Sequence, residues 1–152
     1  MRISYLFNSA IPSHNAGSIQ VIKTCEELIS ENNEVFLITP DTGLKISMKN
    51  FYDLNLIPKR IKLKYFTEFP QGIKYYLFSI YAVIKASLLK TDLFVTRNLF
   101  TLIVLNLFNK KTIIEIHHDL SNEGKLVRFF YKNFDILNSK NILRVVAITN
   151  SV

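Results

Sequence analysis

Apolar residues along this 152-residue chain alternate between short continuous runs and stretches with helical spacing. The first run, Arg2 to Phe7, holds Ile3, Tyr5, Leu6 and Phe7 and predicts a buried strand. Asn8 to Gly17 is a loop by composition, with Asn8, Ser9, Pro12, Ser13, Asn15 and Gly17. From Ser18 the period changes to 3.6, and Val21, Ile22, Cys25, Leu28 and Ile29 share one face. Asn32-Asn33 ends that helix, because Asn tolerates the left-handed conformation that closes helices. Val35-Phe36-Leu37-Ile38 is a second strand, stopped by Pro40-Asp41. Strand, helix and strand in this order make a βαβ unit with parallel strands and a right-handed crossover. Both strands are continuously apolar, as expected where helices cover both faces of a sheet.

The pattern repeats further along. Gly43 to Arg60 is irregular and gives no assignment, and Ile61 to Phe66 alternates weakly as an edge strand would. Pro70-Gln71-Gly72 is a break, after which helical spacing returns with Leu77, Ile80, Tyr81, Ile84 and Leu88. Asp92 to Thr96 is a strand, Leu99 to Phe108 a helix, and Thr112 to Ile116 a strand. Leu126, Phe129, Phe130, Phe134 and Leu137 mark a helix, and Leu143 to Ile148 a last strand. Strands alternating with helices predict an α/β fold, a doubly wound parallel sheet of Rossmann-like type. The length suits one domain over residues 1–152, with nothing after the last strand to cover it.

Composition narrows the class. A chain of this size buries roughly 70% of its extended-chain surface, enough for a real core. The single cysteine, Cys25, excludes an internal disulfide framework and sits at a core position of its helix. The opening Met1 to Phe7 does not read as a secretory leader, since its apolar stretch is short and turn residues follow. Tyr75 to Leu89 is interrupted by Lys85 and falls short of a membrane span, so a cytoplasmic location is expected. Residues 1–60 carry six basic and six acidic side chains, and residues 61–152 carry thirteen and six, so the whole +7 lies in the later part. A basic half fits either a solvated lysine surface or an anionic partner, such as the inner face of a membrane. The lysines come singly or in pairs, which gives no nucleic-acid arm.

Ligands of open α/β sheets bind outside the carboxyl ends of the strands, and three polar clusters fall there. Asn15-Ala16-Gly17-Ser18 runs into the first helix, where unpaired N–H groups suit a phosphate or a sugar hydroxyl. One glycine makes neither a dinucleotide fingerprint nor a P-loop, and an ordinary capped turn accounts for it equally. Thr96-Arg97-Asn98 follows another strand, and Arg97 there suits an anionic acceptor group, a place on the surface or an ion pair. Glu115-Ile116-His117-His118-Asp119 places two of the three histidines at one strand end, where an imidazole can exchange a hydrogen bond with a sugar hydroxyl. Adjacent residues leaving a strand point oppositely, so at most one of His117 and His118 is expected to face the cleft and joint metal binding is disfavoured. No metal site and no bound cofactor is expected. His14, in the first loop, reaches the same side.

These residues together resemble the amino-terminal domain of the family-4 glycosyltransferases with the GT-B fold. Met1-Arg2-Ile3-Ser4-Tyr5-Leu6 is similar to that family's opening strand, and Asn15-Ala16-Gly17-Ser18-Ile19-Gln20-Val21 to its small-residue loop and first helix. Glu34 to Pro40, Asp92 to Arg97, Glu115-Ile116-His117 and Val146 to Ser151 resemble later segments in the same order. The likeness covers nearly the whole chain. It implies one half of a GT-B architecture: an acceptor-side domain, incomplete at its carboxyl end, whose partner domain binds a nucleotide-sugar donor. The complete enzyme would transfer a hexose to a sugar or lipid-linked acceptor, with retention of configuration, and the chain alone would be inactive. His117, two residues after Glu115, takes the family histidine's position and orients sugar hydroxyls. Asn15, Gly17, Ser18, Arg97, His118 and Asp119 are the expected acceptor contacts. Where the family loop has two glycines, Ala16 precedes Gly17 here. The alternative is a non-catalytic α/β module that pairs with a separate donor domain or with an anionic membrane surface. A flavodoxin-type binder is disfavoured, because the hydroxyl-rich phosphate loop is missing.

Overall fold

The computed structural model of the chain describes residues 1–41, 43, 46–64, 69–116 and 123–147. Strand β1 is Arg2–Leu6, and helix α1, Ala16–Ser30, leads to β2, Glu34–Pro40. A short α2, Met48–Tyr52, precedes β3, Lys59–Leu63. Then follow α3, Gln71–Leu88; β4, Leu93–Thr96; α4, Leu99–Leu107; β5, Thr112–Ile116; α5, Lys125–Asn133; and β6, Ile142–Ala147. The six strands form one sheet in the order β3-β2-β1-β4-β5-β6, with every pairing parallel. The expected doubly wound α/β sheet is therefore present, in the strand order of dinucleotide-binding folds.

Two apolar layers hold the sheet between helices. Ile3, Tyr5, Val35, Leu37 and Val95 face α1, where Val21, Ile22 and Cys25 are fully buried. Alternate residues of the same strands, Leu6, Ile38 and Phe94, join Ile114 against α3, α4 and α5. The chain winds outward from β1 to β3, then restarts at β4 on the other side of β1. That reversal sends the loops after β1 and β4 to opposite faces and opens a crevice between them.

Several local readings are corrected. Helix α1 starts at Ala16, before the expected Ser18, because the Asn15 side chain accepts a hydrogen bond from the Gly17 N–H at 2.8 Å. Asn32 follows its end in the left-handed region, φ 61°, as its composition predicts. The unassigned stretch contains α2 and the first residues of β3. Strand β3 is at the sheet edge as expected, but it begins at Lys59, paired with Phe36. The charges of Lys59 and Arg60 hid that start from an apolar count, and such charges are common on edges. Tyr65, Phe66 and Ile148 lie outside the described residues.

The largest correction concerns α3. Pro70-Gln71-Gly72, read as a break, is the helix start, with Pro70 at the N-cap. The row Ile80, Tyr81, Ile84 and Leu88 is exposed, whereas Phe78, Ala82, Val83 and Ala86 form the buried face. This helix is apolar nearly all round, so periodicity cannot choose its inner side; the small Ala82 and Ala86 fit closest to the layer beneath. In α5, Val127 is buried and Phe130 and Tyr131 pack inward, while Leu126 and Phe129 are exposed. Phe134 and Leu137 lie beyond the end of that helix. Strand β6 is an edge strand with Leu143 and Val145 exposed.

These placements set contrasting costs. Phe78→Ala should destabilise by about 3–5 kcal/mol through its cavity, and Ile84→Ala by no more than about 0.5 kcal/mol. Urea denaturation of both variants checks this, and equal losses would contradict the orientation of α3.

Candidate functional site

The rim at the carboxyl ends of β1 and β4 is built by loops that grip one another. Tyr52, at the end of α2, accepts from the Ser13 N–H at 2.7 Å and donates to the Ser13 carbonyl at 2.9 Å. Arg60 donates from the β3 edge to the Ile11 carbonyl. The His14 ring lies on Phe51 with centroids 4.5 Å apart. Both anchors come from the stretch that resisted sequence assignment, so the rigidity of this loop was not foreseeable from its own composition.

Arg97 crosses the crevice. Its Nη1 donates to the Gly17 carbonyl at 3.0 Å, and its Nε stands 3.7 Å from Glu115 Oε2. Its side chain is largely buried, as is that of Glu115. A Cβ at position 17 would sit 3.2 Å from Asn15 Oδ1 and 3.7 Å from Arg97 Nη1, so the glycine leaves room for the cap and the guanidinium. Burial pushes the Glu115 carboxyl up from its ordinary range, against the opposing effects of Tyr5 and Arg97. The Tyr5 phenol is also pushed up, first by burial and then by the Glu115 charge.

Asn98, the N-cap of α4, was not among the expected contacts. Its Oδ1 accepts from the Thr101 N–H at 2.9 Å and from the Tyr75 hydroxyl at 2.7 Å. The Thr101 donor fixes which side-chain atom is the oxygen. Its Nδ2 has no hydrogen-bond partner among the described residues, although Asn98 is only 5% exposed. An unmade bond of a buried amide is costly and marks a place for a ligand. An Asn before an apolar helical run was a readable cap signal; its second function needed Tyr75, 23 residues away.

Asn98 lines a cavity of about 320 Å³ with Asn8, Arg97, Gly72, Tyr75, Tyr76, Glu123, Gly124 and Val127. The amino-terminal ends of α3, α4 and α5 meet there. The N-cap residues Pro70 and Gly124 provide no side-chain cap for α3 and α5, so backbone N–H groups and the positive dipole ends remain to serve a ligand. A Cβ at Gly124 would lie 3.2 Å from the Tyr76 hydroxyl, so a side chain there would crowd the cavity wall. Another cavity of about 470 Å³ lies at the opposite rim, among Met1, Arg2, Asn32, Glu34, Lys90 and Asp92. That groove holds the 2.9 Å ion pair of Arg2 with Glu34 and lies at the amino ends of the strands, away from the crevice.

The expected contacts divide accordingly. Asn15, Gly17 and Arg97 meet at one rim. Ser18 is fully buried and donates to the Ala10 carbonyl at 3.2 Å, which fixes the loop from inside. His117, His118 and Asp119 lie outside the described residues, directly after β5 in sequence. Among the described residues no group of three or more His, Cys, Asp or Glu could hold a metal ion.

No family model matches the chain, and no curated protein matches it. Among solved structures, the crystal structure of Acinetobacter baumannii MurG shares part of its trace, at 13% identity and a TM-score of 0.46. The match covers 76% of this chain and 35% of that one, so this chain spans about a third of its length. A match of this degree carries no argument about activity.

Two variants test the rim. A carboxyl raised in the folded state keeps its proton while the unfolded chain releases its own, so stability falls as pH rises above the ordinary Glu value. Glu115→Gln removes that loss; its melting temperature relative to the native chain should climb between pH ~4 and ~7, and parallel profiles would contradict the assignment. Asn98→Ala should cost about 1 kcal/mol through the lost cap, whereas Asn98→Asp, which keeps an acceptor for Thr101, should melt close to the native chain.

Proposed function

We propose that residues 1–152 are the acceptor-side domain of a hexosyltransferase of the GT-B type. A second domain would bind the nucleotide-sugar, and transfer to a sugar or lipid-linked acceptor would proceed with retention. The observation that carries this reading is the buried, unpartnered Asn98 amide in a cavity at the sheet's switch point. The cavity is of a size that holds a small ligand. A sugar hydroxyl donates and accepts at once, which suits a wall holding Asn98 Nδ2 as donor and the Glu123 carboxylate as acceptor. The rings of Tyr75 and Tyr76 give the apolar surface that a sugar's C–H face needs.

In this reading Arg97 and Gly17 frame the rim, with Asn15 and Ser18 holding the loop behind them. His117 orients acceptor hydroxyls, with His118 and Asp119 beside it. Donor phosphate charge is met by the second domain, and closure of the two domains excludes water.

The test has two arms. Calorimetry of the chain with UDP- and GDP-sugars should show no micromolar binding, because donor contacts belong to the other domain; micromolar affinity would contradict the proposal. Saturation-transfer NMR should detect methyl hexosides at millimolar concentration, and Asn98→Asp should weaken them about tenfold by removing one donor. An unchanged affinity would remove Asn98 from the site.

A further inference from the structure

Four side chains that carry protons or charge converge beneath the rim, on the α1 side of the sheet. Tyr5 of β1, Cys25 of α1 and Glu115 of β5 are buried, and the Arg97 side chain is largely so. The strand pattern brings them together. Tyr5, Val95 and Ile113 belong to the apolar layer against α1. Arg97 follows Val95, and Glu115 follows Ile113, by two residues, which returns each side chain to that face.

Of these four, Glu115 alone changes charge in the ordinary working range of pH. A guanidinium stays protonated there. Burial pushes the Tyr5 phenol and the Cys25 thiol up, away from neutrality, and the Glu115 charge adds to both effects. Burial moves the Glu115 carboxyl up as well, in its case toward neutrality, with Tyr5 and Arg97 opposing. On β6, Arg144 shares this face of the sheet, in register with Ile113, but is exposed. Arg97 links the cluster to the Asn98 cavity, whose wall it also forms. Its 3.0 Å bond to the Gly17 carbonyl involves no titrating group and keeps the guanidinium in place. Glu115, 3.7 Å from Nε, supplies the counter-charge. Water and salt screen buried charges poorly, so loss of that counter-charge is felt in the cavity.

We infer that Glu115 is a proton-controlled counter-charge for the Asn98 cavity, acting through Arg97. Ionised, it balances the guanidinium inside the crevice. Protonated, it leaves that positive charge to the cavity, which then holds an anion more tightly. The proton goes on and off in place, and the Gly17 bond keeps the rim closed in both states. Acidification therefore changes the electrostatics of the site and leaves its shape alone. The inference stands on the buried cluster and on the two contacts of Arg97, and does not need the cavity to bind a sugar.

NMR titration of the full chain with inorganic sulfate, whose charge is constant over the range used, tests it. Sulfate affinity should rise about tenfold from pH ~8 to pH ~4.5, the scale of one neighbouring charge. Glu115→Gln, neutral throughout, should bind with the acid-side affinity at every pH. Arg97→Gln should bind weakly, without that rise. A second reading needs neither ligand nor a variant that binds. The Arg97 Nε–H resonance of the native chain should move through one transition above the ordinary Glu range, and should stay flat in Glu115→Gln. Circular dichroism melts check that both variants are folded. A rise in Glu115→Gln as large as in the native chain would assign the effect to Glu123 or to the histidines and overturn the inference. An Arg97 resonance indifferent to pH would overturn it too, as would sulfate binding that neither variant alters.

Discussion

Arg97 ties together the two loops that the sheet drives apart. Winding reverses between β1 and β4, so the segments that leave them turn to opposite faces. One guanidinium reaches the Gly17 carbonyl on one side and the Glu115 carboxylate on the other. The 3.0 Å bond to a fixed backbone oxygen is the firmer anchor; the 3.7 Å approach to a buried acid adds charge balance more than geometry. Without this tie, the rim would be two independent loops. With it, Asn98, the next residue, is held at a defined place in the cavity wall.

The consequence is a site made mostly of helix beginnings. Asn98 and Tyr75 satisfy the start of α4. The starts of α3 and α5 have no such side-chain cap and face the same cavity. Such ends favour a ligand rich in oxygen. Glu123 keeps the wall from being purely a donor surface, which favours hydroxyls over a simple anion.

The sheet was legible because β1, β2, β4 and β5 are largely apolar runs separated by stretches of helical spacing. Asn15 and Asn98 both stand where a cap should, and Asn32 ends α1 in the conformation its side chain permits. What failed to show was long-range or ambiguous. Tyr52 and Arg60 fix the first loop from 39 and 49 residues away. No local pattern announces such contacts. In α3 the apolar residues surround the helix, so the row singled out by spacing is the outward one; the alanines that mark the inner face contribute little to an apolar count. Arg97 and Gly17 were chosen for strand-end position and do meet, but Asn98, whose amide gives the cavity its chemistry, was named only as the residue after Arg97.

A crystal of the chain soaked in a methyl hexoside tests the central claim most directly. The account predicts a sugar oxygen within hydrogen-bond distance of Asn98 Nδ2, with the ring against Tyr75 or Tyr76. A sugar seated instead in the groove between Arg2 and Lys90, or an Asn98 cavity that stays empty at saturating ligand, would contradict it.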